Sequence, residues 1–360
     1  MEHVAGSHGG DVFGMARALG TGPEDIVDFS ASVNPLGVPE SVLAVLREAL
    51  DGTLLTHYPD PEATPLTEAF ARRYGLEPQS ILTGNGSTEL ISLLPRALRP
   101  KTVIVPSPTF SEYRRASRLV GAEVRHVVLR REEGFRLGIE DFIRALPGAQ
   151  MAFLCNPNNP TGEVLPRADV LALAHAARSH GCMLVVDEAF MDFCPEHSVL
   201  GVESSHLVVL RSLTKFFALP GLRVGLSVLP PGVREKVSRE KDPWSVNALA
   251  IRAGAAALED EDYRARTLAF MAKEKAFLEA RFGELGIGYI PSAANYYALE
   301  VGDAAFVREQ LLRRRLAVRD CTNFEAMGRG YIRVAVRTRR ENEMLLRELA
   351  RLRERAWRSS

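Results

Sequence analysis

Apolar runs of five or six residues, separated mostly by stretches with helical spacing, dominate the middle of this chain. They lie near 102–106, 124–129, 151–155, 183–187, 207–211 and 224–229. Their length and near-continuous hydrophobicity predict strands buried on both faces. Helical patterns at about 39–51 and 64–74 precede them, so the alternation predicts a mostly parallel sheet covered by helices. From about 245 the pattern changes. A long helical stretch over 245–286 opens with Ala248, Ala250, Ala253 and Ala256, and alanine is the strongest helix former. Shorter, more polar strands at 295–299 and 331–336 flank a helix at about 304–315, and a last helix covers about 340–357. Residues 1–35 read as an irregular arm, with Gly9-Gly10, Gly22-Pro23 and Asn34-Pro35-Leu36-Gly37 as turn signals. The expected organisation is an arm (1–35) packing with a small domain, a large α/β domain (36–245), and a long helix leading into a smaller α+β domain (246–360).

Charge adds little to this picture. Forty-five basic and forty-five acidic side chains cancel without any block of one sign, so neither nucleic acid nor an anionic membrane is an expected partner. No apolar run approaches the length needed to span a bilayer, and the N-terminus lacks the basic start and apolar core of a signal peptide. Cys155, Cys182, Cys194 and Cys321 are widely spaced, with no Cys-x-x-Cys pair. The expectation is a cytoplasmic enzyme of small molecules, with reduced cysteines and no metal.

The chemistry concentrates in a few segments. Ser212-Leu213-Thr214-Lys215 sets a lysine among hydroxyls, Gly221-Leu222-Arg223 follows, and Asp187 arrives 28 residues earlier at the end of an apolar run. A lysine beside phosphate-binding groups, with an upstream carboxylate able to hold a protonated pyridine nitrogen, suggests a Schiff-base lysine and pyridoxal 5′-phosphate. Gly84-Asn85-Gly86-Ser87-Thr88-Glu89 opens a helical pattern, where glycines and free amides suit a phosphate. Glu89 stands where a dinucleotide fingerprint has its third glycine, which excludes that reading. Taken alone, the segment reads first as an ordinary helix cap, since Ser and Thr are common capping residues. Asn156-Pro157-Asn158-Asn159-Pro160-Thr161-Gly162 follows a strand, where ligands of open α/β sheets bind.

Together these segments resemble the class I and II aminotransferases among the fold-type I pyridoxal-phosphate enzymes, over essentially the whole chain. The resemblance implies a covalent cofactor on Lys215, Asp187 at the pyridine nitrogen, Asn159 at the phenolic oxygen O3′, and Phe110 stacked on the ring. It implies a phosphate held by Gly86, Ser87, Thr88, Ser212 and Arg223. It also implies a homodimer in which Tyr58, in His57-Tyr58-Pro59-Asp60, reaches the neighbouring subunit's phosphate. One position departs from the family pattern: Asp187-Glu188-Ala189-Phe190 has phenylalanine where the transaminases usually carry the tyrosine that gives O3′ a second hydrogen bond.

Further matches, His8-Gly9-Gly10, Asp28-Phe29-Ser30-Ala31-Ser32-Val33-Asn34, Pro243-Trp244-Ser245-Val246-Asn247 and Arg333-Val334-Ala335-Val336-Arg337, are similar to the branch of that family that decarboxylates a phosphorylated amino acid, L-threonine O-3-phosphate. A histidinol-phosphate or related transaminase is the alternative. For the branch, His8, Ser32, Asn34, Arg319, Arg333 and Arg337 are the expected substrate contacts. Guanidinium forks suit carboxylate and phosphate alike, and a period-2 strand would point Arg333 and Arg337 the same way.

Overall fold

The computed structural model describes residues 8–50 and 52–356. Its largest sheet has seven strands, in the order Ile81–Asn85, Val224–Val228, Leu207–Ser212, Met183–Asp187, Met151–Cys155, Thr102–Ser107 and Glu123–Val128. Only Val224–Val228 runs against the others. Every residue of the four strands from Leu207–Ser212 to Thr102–Ser107 is buried. The pleat divides them between two cores. Val103, Val105, Phe153, Val185 and Leu210 meet the helix Ser87–Leu98. Ile104, Leu154, Leu184, Val186 and Val209 face Val170, Leu173 and Ala177 of the helix Arg167–Ser179 on the other side. Strands covered on both faces have no polar face to present, which is why they read as continuous apolar runs.

A second sheet of four antiparallel strands, Arg319–Asp320, Tyr331–Ala335, Tyr296–Glu300 and Gly288–Tyr289, packs against the long helix Glu261–Leu285 and the C-terminal helix Arg339–Ala356. The 245–286 stretch is therefore two helices, Ala248–Glu259 and Glu261–Leu285. They break at Asp260, whose side chain accepts from the Tyr263 amide at 2.8 Å and caps the second helix.

The arm is more ordered than the turn signals implied. It contains a helix, Val12–Leu19, opened by the Asp11 side chain and closed by Gly20 in the left-handed conformation. Beyond it, Val27–Asp28 pairs in parallel with Leu316–Ala317, and the Ala335 amide donates to the Phe29 carbonyl. The arm thus runs alongside the second sheet. Ile81–Asn85, which the run of predicted strands did not include, is an edge strand of the large sheet that leads into Gly86 and the helix Ser87–Leu98.

Candidate active site

Parallel strands end together, so the segments that follow them share one rim. Asn159, Asp187 and Ser212 with Lys215 sit at or just past three adjacent strand ends, and Phe110 follows a fourth. Between this rim and the second sheet lies a cavity of about 990 Å³.

One end of the cavity is an anion cradle. Gly86, at φ +76°, turns the chain from its strand into the helix Ser87–Leu98, and the first amides of that helix have no partner within it. A Cβ on Gly86 would come 2.4 Å from a terminal nitrogen of Arg223, and one on Gly225 would come 2.4 Å from the Ser87 amide nitrogen. Both glycines therefore make room for the close approach of guanidinium and amides. Arg223 itself lies in the left-handed region, at φ +59°. Ser212 is hydrogen-bonded to the Thr214 hydroxyl at 2.8 Å. Glu89, the residue that excluded a dinucleotide loop, accepts from the Asn85 amide at 2.6 Å and from the Ser245 hydroxyl at 3.0 Å, tying the turn closed.

Asp187 is buried at the cavity floor. The Tyr113 hydroxyl donates to one of its oxygens at 2.6 Å and the Ala189 amide to the other at 3.0 Å. Burial nevertheless raises its carboxyl to about 6. Burial, reinforced by the cationic Arg333 and Arg223, lowers the Lys215 amine to about 8. Burial thus moves the acid and the amine toward each other on the pH scale, the pattern of groups that bind or transfer a proton at a functional site. The Asn159 carbonyl oxygen accepts from Arg333, leaving the amide N–H groups of Asn159 as donors toward the cavity. The cradle, the buried acid, the lysine and the aromatic wall of Phe110 fit pyridoxal phosphate in their donor chemistry.

The opposite wall comes from the arm and the second sheet. Arg319 and Arg333 are partner positions on adjacent antiparallel strands, both buried and both facing the cavity. Burial, with Arg333 as the nearest like charge, lowers Arg319 to about 10. Arg333 donates to the Ser30 carbonyl at 2.8 Å, while among the described residues its Nε and the buried Ser32 hydroxyl have no hydrogen-bond partner. His8 closes the mouth: its Nε2 is 3.1 Å from Glu112 and its ring 5.7 Å from Phe110. Phe190 packs edge-on against Tyr296 at 5.0 Å, in an apolar cluster with Ala294.

Two predicted substrate contacts, Arg337 and Asn34, do not line the cavity. Arg337 falls two residues beyond its strand, where it pairs with Glu341 at 2.8 Å and donates to the Asp28 carbonyl at 3.2 Å. The period-2 argument fails there because the strand has ended. Asn34 is buried behind the lysine rather than beside a substrate: its amide donates to the Lys215 carbonyl at 3.0 Å, and its side chain to the Phe216 carbonyl at 2.8 Å and the Thr267 hydroxyl at 2.9 Å. Tyr58, predicted to reach the neighbouring subunit, is largely exposed, its ring tilted 30° against Trp244 with centroids 4.5 Å apart, and it does not line its own chain's cavity. Tyr113 and Tyr296 were not anticipated. Tyr113 lies one helical turn past Phe110, the only trace of it in the sequence.

The chain belongs to the class I and II aminotransferase family, whose model matches residues 24–349. It is 37% identical to the threonine-phosphate decarboxylase of Salmonella typhimurium, over 95% of each chain. It is 36% identical to the histidinol-phosphate aminotransferase of Symbiobacterium thermophilum, over 93% of this chain and 92% of that one. Among solved structures, L-threonine-O-3-phosphate decarboxylase from Porphyromonas gingivalis superposes with a TM-score of 0.81 at 26% identity, covering 92% of this chain and 100% of that one. Near-equal identity to a decarboxylase and a transaminase means that the reaction must be argued from the cavity.

Proposed function

We propose that this chain decarboxylates L-threonine O-3-phosphate to (R)-1-amino-2-propanol O-2-phosphate, a step of cobalamin biosynthesis. Its cofactor is pyridoxal 5′-phosphate. The observation that carries this reading is the pairing of Arg319 and Arg333 across adjacent buried strands, in a cavity that already has Arg223 in its anion cradle. Two guanidinium groups beyond the cradle suit a substrate with two anionic groups, a carboxylate and a phosphate. The relatives named threonine-phosphate decarboxylase add weight to it.

The cofactor, when bound, supplies an electron sink for the bond that breaks at the substrate's α-carbon. What the chain contributes is orientation, charge and one proton. Asp187, as an anion, would hold the proton at the cofactor's pyridine nitrogen. Arg319 and Arg333 would hold the two anionic groups of the substrate and so fix the orientation of its α-carbon. Gripping the remote phosphate orients the reacting centre through binding energy alone. Lys215, with its amine lowered to about 8, is suited to deliver a proton to the α-carbon after carbon dioxide leaves. Phe190 has no hydroxyl to bond O3′, leaving that role to Asn159.

The full site is proposed to be a homodimer's, with Tyr58 reaching the partner's cofactor phosphate. Its exposure beside Trp244 and the nearby exposed Leu50 and Leu55 support this. Among the described residues no helix is long and apolar enough to cross a membrane, and a cytoplasmic location is proposed. The test is carbon dioxide release from threonine phosphate by the purified, cofactor-loaded protein without any keto acid. A transaminase would release none and would turn over only when 2-oxoglutarate is added.

A further inference from the structure

Tyr113 is fully buried, and its hydroxyl donates to Asp187 Oδ2 at 2.6 Å. The ring cannot readily turn away. It stacks on Phe153 with centroids 4.9 Å apart and planes 12° apart, and it meets Phe110 edge-on at 5.6 Å. Burial raises the phenol well above its ordinary range, so it remains a neutral donor at any working pH.

Asp187 needs such a donor. The ionisable groups that act most on it include Tyr113 from the helix after Phe110, Cys155 from the neighbouring strand end, Glu188 next in the chain, Lys215 from its turn, and Tyr296 from the second sheet. Lys215 is the single cation among these. Burial works against the ionised carboxylate, and the largest opposing influence is the Tyr113 hydrogen bond. A hydrogen bond to the charged form favours that form, and the Ala189 amide on the second oxygen completes a two-point hold.

We propose that Tyr113 is a positioning residue for Asp187: its hydroxyl fixes the carboxylate's orientation and keeps it ionised to face the ring nitrogen of pyridoxal phosphate. The inference rests on the cofactor lying beside Asp187 and is independent of which substrate is decarboxylated.

Tyr113→Phe tests it, because the variant retains the contacts with Phe153 and Phe110 and loses only the hydroxyl. In cofactor-free protein carrying 13C-labelled aspartate, the Asp187 carboxyl, assigned with Asp187→Asn, should titrate about one pH unit or more higher in Tyr113→Phe than in the parent. Affinity for pyridoxal phosphate should weaken about tenfold, as the two quantities are linked through the same carboxylate. Phe153→Leu loosens the ring while leaving the hydroxyl, and it should raise the midpoint by clearly less than Tyr113→Phe does. The proposal is overturned if Tyr113→Phe titrates like the parent, or if Phe153→Leu moves the midpoint as far. If carbon dioxide release fails while the Tyr113→Phe shift is seen, the proposed reaction falls and the role of Tyr113 stands.

Discussion

The two walls of the cavity are built differently. The cofactor wall consists of short segments at the ends of neighbouring parallel strands, each carrying its functional residue within a few positions of the strand end. The substrate wall draws Ser32 from the arm and Arg319 and Arg333 from a second sheet some 290 residues away in sequence. The first wall carries residues common to a whole family; in the proposed function, the second selects the bond that breaks. A family can therefore change reaction while its cofactor residues stay put, since orientation of the substrate resides in elements that pack against the large sheet from outside.

The sharpest way to break the first wall is Lys215→Ala. It should remove the absorbance band of the lysine-bound cofactor and lower turnover by about 10²–10⁴ or more; survival of the band would refute the assignment. On the second wall, Arg333→Leu should reduce kcat/KM for threonine phosphate by about 10²–10³, in line with roughly 2–5 kcal/mol for one partner of a buried charge pair. The cofactor band should persist, and its loss would mean that the two walls cannot be separated.

Proton linkage sharpens the contrast in the cofactor-free protein. The lysine must be neutral to attack the aldehyde, so the loading rate should rise about tenfold per pH unit below 8 and level off above it, well short of a free lysine's 10.5. The same shifts set stability. Between about 8 and 10.5 the unfolded chain binds the extra proton at Lys215 and stability rises with pH. Between 3.8 and about 6 the folded chain keeps the proton on Asp187 and stability falls with pH. Denaturant titrations across pH should lose these two slopes in Lys215→Ala and Asp187→Asn respectively.

Smaller effects test the cradle and the residues placed outside it. Gly86→Ala forces a Cβ onto Arg223 at a positive φ, and about 1–3 kcal/mol of strain should weaken cofactor binding about tenfold or more, measurable by equilibrium dialysis. Arg337→Ala should change KM for the phosphorylated substrate by no more than about twofold, because Arg337 is engaged by Glu341 and the Asp28 carbonyl. A hundredfold rise in KM would return Arg337 to the substrate wall.

The buried strands and the segments carrying Lys215, Asp187 and Gly86 were legible in the sequence because each is a local event: an apolar run followed at once by a candidate residue. The helix Val12–Leu19 was obscured by the glycines around it, although Asp11 and Gly20 are its caps. Asn34 was recognised as important, but nothing local distinguishes an amide facing a substrate from one holding the carbonyls of Lys215 and Phe216. Arg337 was misplaced because alternation holds only while a strand lasts, and this one ends at Ala335.

By itself the sequence determined the alternating α/β core and the chemistry at an amino group, since both depend on patterns spanning a few residues. Only the tertiary structure decided which arginines face the cavity, that Tyr113 rests on Asp187, and that Asn34 backs the lysine. These are contacts between elements far apart in the chain, set by strand register and helix packing.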